Sequence, residues 1–226
     1  MQLDITYISK HFREIALLKD INFHLSTGEV VGIFGRNGCG KSTLMKILFG
    51  TIKPDKYSLF VDNTPFHPQT NISSKLIAYL PQESFLPRDI KVRNLIPMVF
   101  SDGNIQNKIF YSPGIYSIEN QRVGTLSQGT LKYVEFLLLA HMDHPFLLLD
   151  EPFSMIDPLF HDVIKEIIAS KLACKGFLLT DHYYGNVWQV TKRNYILVDG
   201  ALLQVNTKED LTAHGYLPAR KQPDRS

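Results

Sequence analysis

Val30-Val31-Gly32-Ile33-Phe34-Gly35-Arg36-Asn37-Gly38-Cys39-Gly40-Lys41-Ser42-Thr43 runs from a short apolar stretch, through a glycine-rich turn, into residues with helical spacing. Residues 30–34 read as a strand buried on both faces, because a continuous apolar run of this length suits the interior of a parallel sheet. Beyond the turn, Leu44, Ile47 and Leu48 fit one face of a helix over residues 42–49, closed by Gly50. Between strand and helix, Gly35 to Ser42 matches the pattern G-x-x-x-x-G-K-[ST]. A loop built from Gly35, Asn37, Gly38 and Gly40 can turn tightly enough to aim its N–H groups at a phosphate, and the helix N-terminus adds a dipole that favours anions. Lys41 would bridge β- and γ-phosphate oxygens, Ser42 would offer its hydroxyl to Mg²⁺, and Thr43 would reach the α-phosphate. A glycine-rich turn can also serve packing alone. The strand before it and the helix after it favour the phosphate reading.

Working outward, strands are expected at residues 2–8, 21–25, 57–61, 76–80, 146–150, 176–180, 195–198 and 202–205, with helices at 92–100, 131–141 and 158–171. Such alternation predicts an α/β fold with a mostly parallel sheet, preceded by an N-terminal antiparallel β subdomain, and the glycine-lysine turn at 35–42 makes it a P-loop NTPase core. Residues 83–130 carry many Pro, Asn, Gly and Ser and weaker periodicity, and are expected to form a small helical insertion. One domain over residues 1–217 with a polar tail at 218–226 results. At 226 residues the chain has room for one domain and a subdomain but not for two full domains.

Lys plus Arg (24) against Asp plus Glu (22) leaves a net charge of +2, too little to argue for a nucleic-acid partner. Phosphate binding must therefore be local. The two cysteines, Cys39 and Cys174, show neither metal-ligand spacing nor a disulfide framework, which fits a reducing compartment. The longest apolar runs, such as residues 136–140 and 146–149, fall far short of the roughly 20 residues a membrane-spanning helix needs. Met1-Gln2-Leu3-Asp4 has no basic or apolar leader character, so a cytoplasmic chain is expected.

Phe146-Leu147-Leu148-Leu149-Asp150-Glu151 is an apolar strand ending in two carboxylates, which would place both acids at the C-terminal edge of a parallel sheet, where ligands bind. Asp150 suits a Mg²⁺ contact and Glu151 suits polarising an attacking water. Alone, the pair could be an acidic start to a helix. With Lys41 and Ser42 upstream, the catalytic reading is favoured.

GRNGCGKST (35–43) and LLLDEP (147–152), with the residues downstream of them, resemble the ATP-binding cassette family, and the resemblance spans nearly the whole chain. It implies ATP and Mg²⁺ as ligands and ATP hydrolysis as the activity. Phe12, in Lys10-His11-Phe12, matches the family's adenine-stacking aromatic, although a phenylalanine ending a strand can also be core. Gln82, in Tyr79-Leu80-Pro81-Gln82, matches the glutamine that contacts Mg²⁺ and water and senses the transmembrane partner; read alone it is a surface loop residue. Asp157 matches the residue that reports across the dimer interface, and read alone is a helix N-cap before Pro158. His182 matches the histidine that contacts the γ-phosphate.

The family's signature is usually LSGGQ or LSGGE, and here Leu126-Ser127-Gln128-Gly129-Thr130 occupies its place. The resemblance implies that the Ser127 hydroxyl and the Gly129 N–H bind the γ-phosphate of a nucleotide held by a second nucleotide-binding domain, in a homodimer or a heterodimer. Gln128 adds a side chain where backbone approaches phosphate, and Thr130 shortens the polar arm. The leading expectation is an ATP-hydrolysing transporter subunit, peripheral on the inner face of the membrane through a transmembrane permease, with no nucleic-acid partner. DEPFSMIDP (150–158) and LLTDH (178–182) look similar to the lipopolysaccharide-export and branched-chain amino-acid groups. A soluble cassette ATPase acting on nucleic acid or ribosomes is the second reading, though such proteins carry duplicated cassettes, long coiled-coil insertions or zinc motifs that this sequence does not show. An ATP-binding regulatory module with weak hydrolysis, suggested by Gln128 and Thr130, is the third.

Overall fold

The computed structural model describes residues 1–181 and 184–218. Its strands, in chain order, are β1 (Gln2–Phe12), β2 (Ile15–Leu18), β3 (Phe23–Ser26), β4 (Val30–Phe34), β5 (Lys56–Val61), β6 (Thr64–Pro65), β7 (Ile77–Leu80), β8 (Phe146–Asp150), β9 (Gly176–Thr180), β10 (Arg193–Val198) and β11 (Ala201–Val205). The helices are α1 (Lys41–Phe49), α2 (Asn71–Ser74), α3 (Val92–Val99), α4 (Gly103–Phe110), α5 (Ile115–Ile118), α6 (Gln128–His141), α7 (Pro158–Lys171), α8 (Tyr184–Val190) and α9 (Lys208–Ala213).

Six strands form the main sheet in the order β11-β10-β4-β9-β8-β7, with every pairing parallel except that of β10 with β11. All five residues of β4, β8 and β9 are buried, as an apolar run with no polar face requires. Successive side chains still point to opposite faces. Val30 and Phe34 of β4, with Leu147 and Leu149 of β8, join one apolar cluster, whereas Val31, Ile33, Phe146 and Leu148 join another. The second cluster is closed by Leu44, Met45, Ile47 and Leu48 of α1 and by Leu3, Ile5, Leu25 and Leu59 of a separate antiparallel sheet, ordered β2-β1-β5-β6 with β3 also paired to β1. The expected mostly parallel core and N-terminal antiparallel layer are therefore both present.

The opposite face packs against α6, α7 and the insertion. Val92, Leu95 and Ile96 of α3, Ile109 of α4 and Ile115 of α5 belong to the same cluster as the strand residues Leu149 and Phe177, so the insertion shares the core of the domain. Fully burying an aliphatic or aromatic side chain contributes about 1.5–3 kcal/mol, enough for five such residues to dock three short helices that would not persist alone. Chain reversals follow local chemistry: Asp62-Asn63 and Asp199-Gly200 take positive φ at both positions, the geometry of tight hairpin turns after β5 and β10. No helix among the described residues is long and apolar enough to cross a membrane. Of the polar tail expected at 218–226, only Pro218 lies among the described residues.

Candidate nucleotide site

The loop after β4 closes on itself through Lys41, whose side chain is buried and whose Nζ donates to the carbonyl oxygens of Gly35 at 2.7 Å and Arg36 at 3.2 Å. The loop is thereby held around a hollow of about 390 Å³ lined by Asn37, Gly38, Gly40, Lys41, Ser42, Thr43, Gln82 and Glu151. Gly38 sits at φ +78°, and a Cβ there would have no neighbour within 4 Å, so the open space belongs to the hollow rather than to packing. Gly40 is also left-handed, at φ +115°, and leads into α1, so the free N–H groups of the first helical turn face the same hollow. Lys41 is already engaged in a charge-assisted contact with the loop, and a phosphate oxygen would replace one carbonyl partner with a stronger one.

The carboxylates come from β8. Asp150 is fully buried at the strand's end, and its oxygens are fixed by the Thr180 hydroxyl at 2.7 Å, the Tyr79 hydroxyl at 3.1 Å and the Gln82 amide at 3.4 Å. Burial and the adjacent carboxylate push the Tyr79 phenol above its ordinary value, so it remains a proton donor to Asp150. Glu151 leaves the strand in the left-handed region, φ +56°, while its N–H still donates to the Thr180 carbonyl at 2.8 Å. That turn points the chain out of the sheet at the edge where the loop sits. Gln82 closes the arrangement: its Nε2 donates to Glu151 Oε1 at 2.9 Å and to Ser42 Oγ at 3.2 Å.

Ser42 and Asp150 thus bring a hydroxyl and a carboxylate to one small volume, which fits an oxygen-seeking cation that keeps several waters and takes phosphate oxygens for the rest; Gln82 turns its Nε2 donor to both and would ligate a cation only through its amide oxygen. No group of three or more His, Cys, Asp or Glu among the described residues could make a dedicated metal cage. Mg²⁺ held by few protein ligands matches that donor set.

A second hollow, of about 510 Å³, is lined by Ser127, Gly129, Thr130, Met155, Ile156, Asp157, Pro158, Phe160 and His161 and shares no residue with the first. Ser127 is the N-cap of α6, accepting from the Thr130 N–H at 3.1 Å and meeting the Thr130 hydroxyl at 2.8 Å. Asp157 caps α7 by accepting from the Leu159 N–H at 3.0 Å. A Cβ on Gly129 would fall 2.1 Å from the Met155 carbonyl oxygen, so this glycine lets the first turn of α6 approach the backbone before α7. Met155 of this lining is 75% exposed, and Leu159, between the lining residues Pro158 and Phe160, is 80% exposed, leaving apolar surface beside two helix starts.

A sequence model of the ABC transporter family matches residues 18–154, from the end of β2 past the β8 carboxylates. The chain belongs to the ABC transporter family. It is a nucleotide-binding subunit of that family, similar to the lipopolysaccharide export system ATP-binding protein LptB of Acidithiobacillus ferridurans, 28% identical over 89% of this chain and 88% of that protein. It is also similar to the ribose import ATP-binding protein RbsA of Hahella chejuensis, 31% identical over 88% of this chain and 42% of that longer protein. A solved ATP-binding subunit of an ABC transporter superposes with a TM-score of 0.82 at 20% identity, covering 97% of this chain and 95% of that one.

Of the residues expected in the site of this ABC subunit, Asn37, Gly38, Gly40, Lys41, Ser42, Thr43, Gln82, Asp150 and Glu151 are brought together, and Gly35 accepts from Lys41. Ser127, Gly129 and Asp157 gather in the other hollow. Phe12 ends β1 and does not line the first hollow; it is 46% exposed with Lys10 Nζ 5.1 Å above its ring, so the reading of it as core does not hold. His182 lies outside the described residues. Tyr79 and Thr180 were not expected. The register that sets Asp150 opposite Thr180 depends on strands thirty residues apart, though a lone threonine ending an apolar strand is a readable signal.

Proposed function

We propose that this subunit hydrolyses ATP with Mg²⁺ and powers transport through separate transmembrane subunits. The observation that carries the reading is the Gln82 amide, which reaches Ser42, Asp150 and Glu151 at once beside the Lys41 loop. The loop N–H groups and Lys41 would bind the β- and γ-phosphates. Ser42 and Asp150, with Gln82, would hold Mg²⁺, which when bound neutralises charge on the β- and γ-oxygens. Glu151 accepts a proton from water as the water oxygen bonds to the γ-phosphorus; the bond from that phosphorus to the β–γ bridging oxygen breaks, leaving ADP and phosphate.

The two hollows on one chain are what a head-to-tail pair needs, each chain's Ser127 side covering the other's loop. The apolar surface at Met155 and Leu159 supports cover by protein. A groove of about 780 Å³ beside Gln82, with Phe49, Phe85, Leu139 and Met142 among its walls, suits a segment of a transmembrane permease. The subunit would then sit at the inner face of the membrane through that partner, without nucleic acid. Steady-state hydrolysis by the purified chain, alone and with a candidate permease in lipid, tests the reading. The expected result is stimulation by the permease, and a loss of about 10²- to 10⁴-fold in Glu151→Gln with ATP still bound. Stimulation by RNA or ribosomes instead, or activity that survives Glu151→Gln, sinks it.

A further inference from the structure

Helix α6 is buried on nearly every side, yet two of its buried residues are of charged types: Lys132 is 8% exposed and Glu135 is 2% exposed. Burying charge is costly unless each group is held by specific partners, and an apolar pair would pack as well or better. The partners here are telling. Glu135 Oε1 accepts from the Ser84 hydroxyl at 2.5 Å and the Phe85 N–H at 3.0 Å, with the Leu86 N–H adding to the set. All three belong to the segment that directly follows Gln82. Lys132 Nζ, one turn earlier on the same helix, donates to the carbonyl oxygen of Asp150 at 3.2 Å, the peptide that joins Asp150 to Glu151. The carboxylates of Asp150, Glu151, Asp181 and Glu135 all act on this ammonium.

We propose that Lys132 and Glu135 are positioning residues that hold the Gln82 segment and the Asp150–Glu151 peptide in register with each other through one rigid turn of α6. The inference rests on the ATPase reading for its consequence and on geometry alone for its physical content. A residue three positions along a helix lies on the same face, about one turn away, so the two anchors move together. The 2.9 Å contact between Gln82 and Glu151 is the quantity they protect, since it ties the segment after β7 directly to the end of β8. The same helix is capped by Ser127, so the second hollow and both anchors share one helix.

The test uses the full chain and three variants: Glu135→Leu, Glu135→Gln and Lys132→Met. In nucleotide-free protein, Glu135→Leu should speed amide exchange at residues 84–86 and also at Glu151, whose N–H is bonded to Thr180, by about tenfold or more. Its kcat should fall by about 10- to 100-fold, as for a displaced catalytic group, with the ATP Kd changed by no more than about twofold. Glu135→Gln keeps the accepting Oε1 and should rescue both readouts. Lys132→Met repeats the test from the other end, loosening Glu151 and the 84–86 segment together. The proposal is overturned if Glu135→Leu loosens 84–86 and leaves Glu151 untouched. It is equally overturned if kcat, ATP affinity and melting temperature fall together and Glu135→Gln does not restore them. Should wild-type hydrolysis survive Glu151→Gln, the ATPase reading fails, and the exchange measurements still decide the register.

Discussion

The two hollows are made of similar parts, a glycine-rich turn leading into a helix, but those parts are used in opposite ways. Around Lys41 the turn encloses free space: Gly38 has no neighbour where a side chain would stand, and the loop's cation holds its own carbonyls until a better acceptor arrives. Around Ser127 the glycine is filled by protein, with the Met155 carbonyl where a Cβ would be, and both helix caps already have their side-chain acceptors in use. One is a cradle complete within the chain. The other is a surface with satisfied caps and an apolar rim, suited to close over something presented to it.

The largest effect should separate them by binding. Lys41→Ala removes a charge-assisted contact worth about 1.5–3 kcal/mol, so ATP affinity of the isolated chain should fall about 10- to 100-fold. Ser127→Ala should leave that affinity within about twofold and lower hydrolysis, which in the proposed head-to-tail pair needs the second hollow closed over nucleotide. Equilibrium titration with ATP distinguishes the two. Equal losses in both variants would erase the distinction between the hollows.

Next in size is a contrast of two glycines in folding stability. Gly129→Ala forces backbone apart at a site with no flexible neighbour and should cost about 1–3 kcal/mol, read as a shift in the urea midpoint. Gly38→Ala meets only the left-handed backbone penalty, about 1 kcal/mol, while occupying space the phosphates require. Stability should report on the first and nucleotide affinity on the second. Smaller again, Ser127→Ala removes a cap and should cost about 1 kcal/mol of stability, an effect that Ser127→Asn should largely recover.

This contrast also explains what could be read in the sequence. Strand β4, its loop, α1 and strand β8 were legible because their signals are local: apolar runs, glycine spacing and acids at a strand end. Strands β3 and β10 start two residues away from their expected starts, β2, β6, α2, α8 and α9 are not expected, and α4 and α5 fall within the expected helical insertion without their own bounds. α4 opens on Gly103 and spans only two turns, so its stripe is just Ile105, Ile109 and Phe110, too short to read as a helix alone; its partners lie on α3, α5 and α6. Gln82 was found through resemblance, but its simultaneous reach to Ser42 and Glu151 joins β7, α1 and β8, which no local pattern encodes. Lys132 and Glu135 carry no motif that singles them out in the sequence. Burial on all sides of α6 is what makes them informative.

The smallest expected effect lies at the end of β1, where the resemblance implies that Phe12 meets the base. Asp55 gathers that end: it accepts from the His11 N–H at 2.6 Å, contacts the His11 ring at 3.0 Å and pairs with Lys10 at 3.1 Å, and Lys10 lies over Phe12. These contacts, chiefly the His11 backbone bond, lower its carboxyl to about 2. A carboxylate depressed by folding stabilises the native state above its unfolded pKa of about 3.9 and loses that contribution as pH falls toward 2. Wild type should therefore exceed Asp55→Asn in melting temperature by a constant small margin from neutral pH down to about 4, with the margin shrinking below that. Because the group is exposed, the margin should also narrow in high salt, where Lys10 is screened. If Asp55→Asn leaves the acid profile unchanged, the Asp55 contacts do not stabilise the end of β1; if it leaves ATP affinity unchanged as well, they do not position Phe12 for a base.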